Sequence, residues 1–422
     1  MIARRVGNPP QVGNLPHTRW IAVAVFVLST SLNYLDRQLL AAVAPTLRSE
    51  FHLSYAQYGQ IQSVFNLSYS IIAPFAGWFI DFVGLNLGAT IAVAVWSLAG
   101  AVTALLRSFS GLLACRTILG AAEAASIPST GKANATYLES HELALGTAIN
   151  NVGLSLGSIA APLLVASLAP RFGWRSVFAA CGIGGLLWIP LWWVTSRRVP
   201  ARAVKKQERT TTMTELLRDG RLWGLAIGNA FVMTVFLLWT NWTTVYFVQA
   251  RHMAQDQANR QFVWIPTVLG IAGGFVGGAA AYYLIKRGSP AVKARLRVCW
   301  IGACVLLLTA AVPFMPSDGL ATAAISLSFF STLTLSTNIY ALPIDLFGAR
   351  HAAFGVAALT CSYGLMAAAL SPAIGLAVDL VGFTPVCAGL SVLPLVGVML
   401  LQRYVGPRQN SPRPRMQSHA RA

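Results

Sequence analysis

Charged residues are scarce in this sequence. They make up 10% of 422 residues, where a soluble globular domain carries roughly 25%, so water is not the main solvent of the fold. Cysteine is scarce as well. The six present, Cys115, Cys181, Cys299, Cys304, Cys361 and Cys387, sit in apolar segments without metal-ligand spacing, which leaves buried reduced thiols and argues against a metal site. The apolar segments hold no His-Glu-x-x-His, no paired carboxylates at catalytic spacing and no nucleophile elbow, and the six histidines fall in loops and arms. Those absences argue against a membrane-embedded enzyme, and no cofactor is implied. The polar stretches over 196–220 and after Tyr404 are too short for an output domain. That weakens a transporter-like sensor, the rival of a different class, which ligand-driven flux would separate from a transporter.

Hydrophobic length is abundant. Hydrophobic residues reach 55% and the mean hydropathy is +0.61. A helix needs roughly 20 mostly apolar residues to cross a bilayer, and runs of that length recur from Trp20 to Tyr404. They predict an all-α membrane protein of about twelve spans, starting near residues 19, 55, 86, 109, 143 and 173, then near 222, 259, 297, 319, 352 and 383. The longest hydrophilic break divides them six and six: an arm over 1–18, bundles over 19–195 and 221–404, a linker over 196–220 and a basic tail over 405–422. The halves echo one another. Pro162 followed by Gly173-Trp174 matches Pro372 followed by Gly382-Phe383, and Ala144-Leu145-Gly146 matches Ala353-Phe354-Gly355. Repetition at half the chain length is the layout of transporters with a midplane site between two bundles.

The net charge of +18 would suit nucleic acid only if the bases formed one patch. They follow topology instead. With the N-terminus in the cytosol, 23 of the 31 Lys and Arg fall on the cytosolic side, six on the other, and Arg37 and Arg116 lie inside spans. This is the positive-inside pattern of a multi-pass plasma-membrane protein with both termini cytoplasmic. The first 18 residues lack a cleavage-site pattern and read as a cytosolic arm.

Four charges stand where charge is costly. Asp36 and Arg37 fall inside the first span, Arg116 and Glu123 inside the fourth. A charge at bilayer depth costs about 2.5–3.5 kcal/mol on insertion scales, so such residues face a polar pathway or one another. A structural salt bridge is the plainer alternative. Arg116 and Glu123 are seven residues apart and share a helix face, separated by roughly 10 Å along the axis, whereas Asp36 and Arg37 diverge by about 100°. Two guanidinium groups in a low-dielectric cavity attract a carboxylate in bidentate fashion, which assigns Arg37 and Arg116 to an anionic substrate. Accumulating an anion against a negative interior needs a coupling cation, and Asp36 and Glu123 are the deep proton carriers. Tyr34, Tyr69, Asn151, Trp242 and Trp264 lie at similar depth and suit the hydroxyls of a polyol, although such residues also serve as interface anchors and helix-to-helix glue.

Asn33-Tyr34-Leu35-Asp36-Arg37 and Arg116-Thr-Ile-Leu-Gly120-Ala-Ala-Glu123 are similar to the first-span and fourth-span motifs of the major facilitator superfamily. They most resemble its anion:cation symporter branch, with bacterial hexuronate and aldonate transporters and vesicular sialic-acid carriers. The resemblance spans nearly the whole chain. Gly120 to Pro128, Trp264-Ile-Pro266 and Asp345-Leu-Phe-Gly348 look most like the hexuronate type. It implies two six-helix bundles, alternating access, a sugar acid held by Arg37 and Arg116 and touched by Tyr34 and Tyr69, and a proton carried by Asp36 and Glu123. A monomer in the bilayer, with no nucleic-acid partner, is the expected working form.

One stretch departs from the pattern. The loop between spans two and three resembles the superfamily gating motif at Gly77, Asp81 and Gly84, but Phe82, Leu85 and Asn86 stand where cations are usual. The charge relay that latches one conformation is therefore expected to be weakened or supplied from elsewhere.

Overall fold

A computed structural model describes residues 18–139, 141–199 and 213–406; the expected arm and tail, and most of the linker, lie outside them. The first half contains α1 (Thr18–Phe51), α2 (Tyr55–Val83), α3 (Leu85–Thr103), α4 (Phe109–Glu123), α5 (Ser126–Tyr137), α6 (Leu143–Phe172) and α7 (Trp174–Arg198). After the short α8 (Met213–Arg218) come α9 (Gly220–Val232), α10 (Thr234–Gln249), α11 (Gln255–Gln261), α12 (Ile265–Lys286), α13 (Ala291–Leu306), α14 (Asp318–Phe347), α15 (Ala349–Val381) and α16 (Phe383–Val405). A 3-10 turn over Leu307–Phe314 extends α13.

Eleven stretches among the described residues are long and apolar enough to cross a membrane, with α9–α10 and α11–α12 each forming one. The twelfth span is the broken pair α4–α5. Neither piece reaches 18 residues, because the helix stops at Glu123 and resumes at Ser126. The fold is thus a twelve-span helical protein, as the hydrophobic periodicity predicts. The most interior span is α9–α10, 78% buried over its apolar window.

Local chemistry sets the corners. Ser54 and Gln57 form a reciprocal capping box at the start of α2. Asp219 accepts the backbone N–H of Arg221 at the start of α9. Gly173 separates α6 from α7 at φ 78°, and Gly382 separates α15 from α16 at φ 75°, left-handed values that favour glycine. These are the paired positions of the internal echo, so the repeat in sequence is a repeat in backbone geometry.

Each bundle is closed by small residues that let backbones touch. Gly120 of α4 presses on the Phe65 backbone of α2, and Gly273 of α12 on the Phe330 backbone of α14, leaving no room for a Cβ at either. Between the bundles, contact gathers at one end, the end distant from the start of α1. There Gly59 and Gly375 leave no room for a Cβ against the backbones of α15 and α2. Asp379 accepts the N–H groups of Tyr55 (3.0 Å) and Ala56 (2.8 Å), capping α2 from the opposite bundle. Tyr58 donates to the Asn241 carbonyl at 2.8 Å. Along the interface Gly364 of α15 still meets Ser70 of α2, and further along α2 nothing stands within 4 Å of a Cβ built at Gly77.

Candidate functional site

The two charged motifs meet beside the interface between the bundles. α1 brings Tyr34, Asp36 and Arg37, α2 brings Phe65 and Tyr69, and α4 brings Arg116 and Glu123. The Arg37 Nε donates to Glu123 Oε2 at 2.6 Å, with the Glu123 side chain fully buried and that of Arg37 19% exposed. Glu123 is the last residue of α4, at the negative end of the helix dipole, so the guanidinium offsets both a carboxylate and a helix terminus. The same guanidinium lies 4.5 Å from the Tyr69 ring centroid, 4.9 Å from Tyr34 and 5.1 Å from Phe65. Such cation–π contacts strengthen where water is excluded. Asn33 is buried beside Glu123.

Arg116 is in a different position. It is 3% exposed, lies within Coulombic reach of Glu123 and Asp36, and its Nε and Nη2 have no hydrogen-bond partner among the described residues. Glu123 Oε1 is likewise without one. Asp36 is 4% exposed and faces Gly100, where a Cβ would lie 3.9 Å from its carboxylate oxygens. Two acids and two bases therefore share one buried cluster with a closed net charge. One base is committed to an acid, and the other has open donors.

The opposite bundle supplies residues that sequence reasoning missed. Tyr340 of α14 and Tyr363 of α15 lie near Tyr34, and Tyr363 also near Arg37, where Gly364 of α15 packs on Ser70 beside Tyr69. Tyr340 lies beside Thr360 and the fully buried Asn229 of α9. Asn338 stands two residues before Tyr340. Asn338 itself donates to the Gly277 and Thr334 carbonyls, both at 3.0 Å, as helix-to-helix glue.

Three candidates are placed elsewhere. Trp242 is fully buried in the seal at the closed end, its ring 5.0 Å from Tyr58 and 6.2 Å from Tyr55. Trp264 caps the start of α12 and donates to the Arg260 carbonyl at 2.9 Å. Asn151 is exposed on α6, with its carbonyl accepting from Ser155. The sequence places these residues within apolar runs, and the structure sets them apart from the Arg37–Glu123 cluster.

The loop between α2 and α3 meets a cation from another element. Lys132 of α5 reaches across to donate to the Ile80 carbonyl at 2.7 Å and to Asp81 at 3.2 Å. Gly84, at φ 94°, forms the corner between α2 and α3. Phe82, 75% exposed, stacks on Trp78.

Comparison with known proteins agrees with this architecture. The profile of the Major Facilitator Superfamily matches residues 26–372. The chain belongs to the major facilitator superfamily. It is similar to the hexuronate transporter of Escherichia coli strain K12, 26% identical over 414 residues that cover 93% of this chain and 95% of that one. It is also similar to the galacturonate transporter of Dickeya chrysanthemi, 28% identical with 62% and 80% covered, and to a probable galactarate/D-glucarate transporter of Bacillus subtilis strain 168, 27% identical with 75% and 76% covered. A solved bacterial homologue of the human lysosomal transporter Spinster superposes with a TM-score of 0.76 at 20% identity, covering 94% of this chain and 96% of that one; it shares the fold. The superfamily is one of transporters, and the chain is a multi-pass membrane protein rather than an enzyme.

Proposed function

We propose that this chain is a proton-coupled symporter of an organic anion, a sugar acid such as a hexuronate or aldonate, working by alternating access as a monomer in the plasma membrane. The observation that carries the reading is Arg116, a buried guanidinium with two open donor atoms beside a Glu123 already occupied by Arg37. A buried cation without a full set of partners is costly, and a carboxylate ligand supplies the missing acceptors. The names of the relatives supply the sugar-acid class.

Coupling follows from the shared cluster. A proton on Glu123 weakens its hold on Arg37, which then turns to the substrate carboxylate together with Arg116. Asp36 is the second proton site, electrostatically linked to Arg116 and Glu123. With the positive-inside assignment placing both termini in the cytosol, the end joined across the bundles through Asp379 and Asn241 faces outward and the opposite end faces the cytosol. In that arrangement the substrate leaves inward.

The test is uptake into proteoliposomes under an inward proton gradient, with glucuronate, galacturonate, galactonate and gluconate beside simple dicarboxylates and neutral sugars. The expected result is accumulation of a sugar acid that collapses on adding an uncoupler. Movement of a neutral or cationic solute while every acid stays outside would return Arg37 and Arg116 to structural ion pairs.

A further inference from the structure

The four charges of the site all belong to the N-terminal bundle. Across from them, the C-terminal bundle brings a different chemistry: the phenols Tyr340 and Tyr363 near Tyr34, with Gly364 beside Tyr363 packed on Ser70 beside Tyr69, and behind Tyr340 the fully buried amide Asn229. Among the described residues of 213–406, lysine and arginine lie toward helix ends. Arg251 holds Asp318 at 2.7 Å and Arg295 holds Asp345 at 2.6 Å. Of these two tyrosines, Tyr363 stands near a cation, Arg37 from the facing bundle, whereas Tyr340 stands near Tyr34 and Tyr69.

This asymmetry divides a sugar acid into two ends. A carboxylate needs a cation or several strong donors to leave water, and burying one without them is costly. The arginine side meets that need for one carboxylate. Phenol and amide groups both donate and accept, which matches neutral hydroxyls; the Asn229 Nδ2 already donates to the Leu359 carbonyl at 3.0 Å, while its Oδ1 is buried without a partner. Tyr363 is further fixed by the Phe236 ring at 6.4 Å. An aldarate carries carboxylates at both ends of its carbon chain, so a molecule bridging the bundles would press its second carboxylate onto the tyrosine face.

We propose that Tyr340 and Tyr363 are specificity-determining residues that read the hydroxylated end of the substrate, with Asn229 positioning Tyr340, so that the transporter selects sugar acids with one carboxylate over those with two. This inference rests on the sugar-acid reading above and goes one step past it, because the relatives' names include both classes.

The experiment is competition against labelled galacturonate uptake in proteoliposomes, with unlabelled galacturonate, galactonate and galactarate as competitors. Galactarate is expected to need a concentration at least about tenfold higher than galacturonate for half-inhibition, the effect of one poorly satisfied polar group. Half-inhibition by galactarate within about threefold of galacturonate would overturn the inference while leaving the sugar-acid reading intact. Failure of all three acids to move or compete would instead remove the sugar-acid reading itself. A second arm uses Tyr363→Arg, which puts a cation on the tyrosine face. Relative to galacturonate, galactarate should gain about tenfold as a competitor, a shift in preference that simple loss of packing would not produce. Tyr340→Phe should raise the KM for galacturonate several-fold. An unchanged KM in Tyr340→Phe, together with unchanged preference in Tyr363→Arg, would also overturn the assignment.

Discussion

Arg37 and Arg116 are the same side chain under different constraints, and substitution separates them. Arg37 holds the fully buried Glu123, so Arg37→Ala leaves a carboxylate without its counter-ion. Breaking a buried pair from one side costs about 3–5 kcal/mol, and thermal unfolding in detergent should show a marked drop in Tm. Adding Glu123→Gln removes the orphaned charge, and most of that drop should return in the double variant; equal instability of single and double would mean that the pair is not what is being broken. Arg116→Ala should behave in the opposite way. Its guanidinium has open donors and no short ion pair, so stability should change little while substrate binding is abolished, read by ligand-induced thermal shift. Glu123→Gln alone should keep binding and counterflow but lose gradient-driven accumulation, because only the titrating group is gone.

At the scale of elements, the first span is clasped by a helix from the other bundle. Pro45 interrupts α1, removing one rung of its hydrogen-bond ladder and crowding the preceding turn. The next rung is where α11 engages. Gln255 Oε1 accepts from the Thr46 N–H at 3.0 Å and from the Thr46 hydroxyl at 2.8 Å, and Asn259 Nδ2 donates to the Ala42 carbonyl at 2.8 Å. Gln255 and Asn259 are four apart on one face of α11, and Thr244 fixes Asn259 through its Oδ1 at 3.0 Å. These three cross-bundle bonds, at about 0.5–1.5 kcal/mol each, hold the closed end only a few turns from Asp36 and Arg37. Gln255→Leu with Asn259→Leu should therefore raise the population open at this end, measured as longer distances between spin labels at His52 and Ala254. An unchanged distance distribution would show that Asp379 and the Trp242 seal suffice without α11. The clasp was not legible in the sequence. Periodicity locates the spans, and mid-span charge locates Asp36, Arg37, Arg116 and Glu123, because both signals depend on composition along one helix. Whether Trp242 seals the far end, or Tyr363 stands near Arg37, depends on how two bundles tilt against each other. That tilt is set by glycine contacts such as Gly59 on Ser371 and Gly375 on Tyr55, which carry no label in a single chain.

At the scale of the molecule, the two ends of the interface are unlike, and the difference is directional. One end is joined across the bundles through Asp379, Asn241, Gln255, Asn259 and the Arg260 Nη2 bond to the Ala166 carbonyl. At the other end, the pairs Arg19 with Glu139, Lys132 with Asp81 and Arg295 with Asp345 each stay within one bundle. A half-buried position on the cavity wall should therefore be reachable from one side of the membrane. In a background with the six native cysteines replaced, Tyr363→Cys should react with an impermeant maleimide in inside-out vesicles and resist it in intact cells. A tag on the C-terminal tail checks the topology independently, because it too should be accessible in inside-out vesicles alone. Reaction in intact cells with the tag still hidden would mean that the sealed end opens freely in the membrane. Reaction in intact cells with the tag exposed would invert the topology and, with it, the direction in which substrate leaves the site.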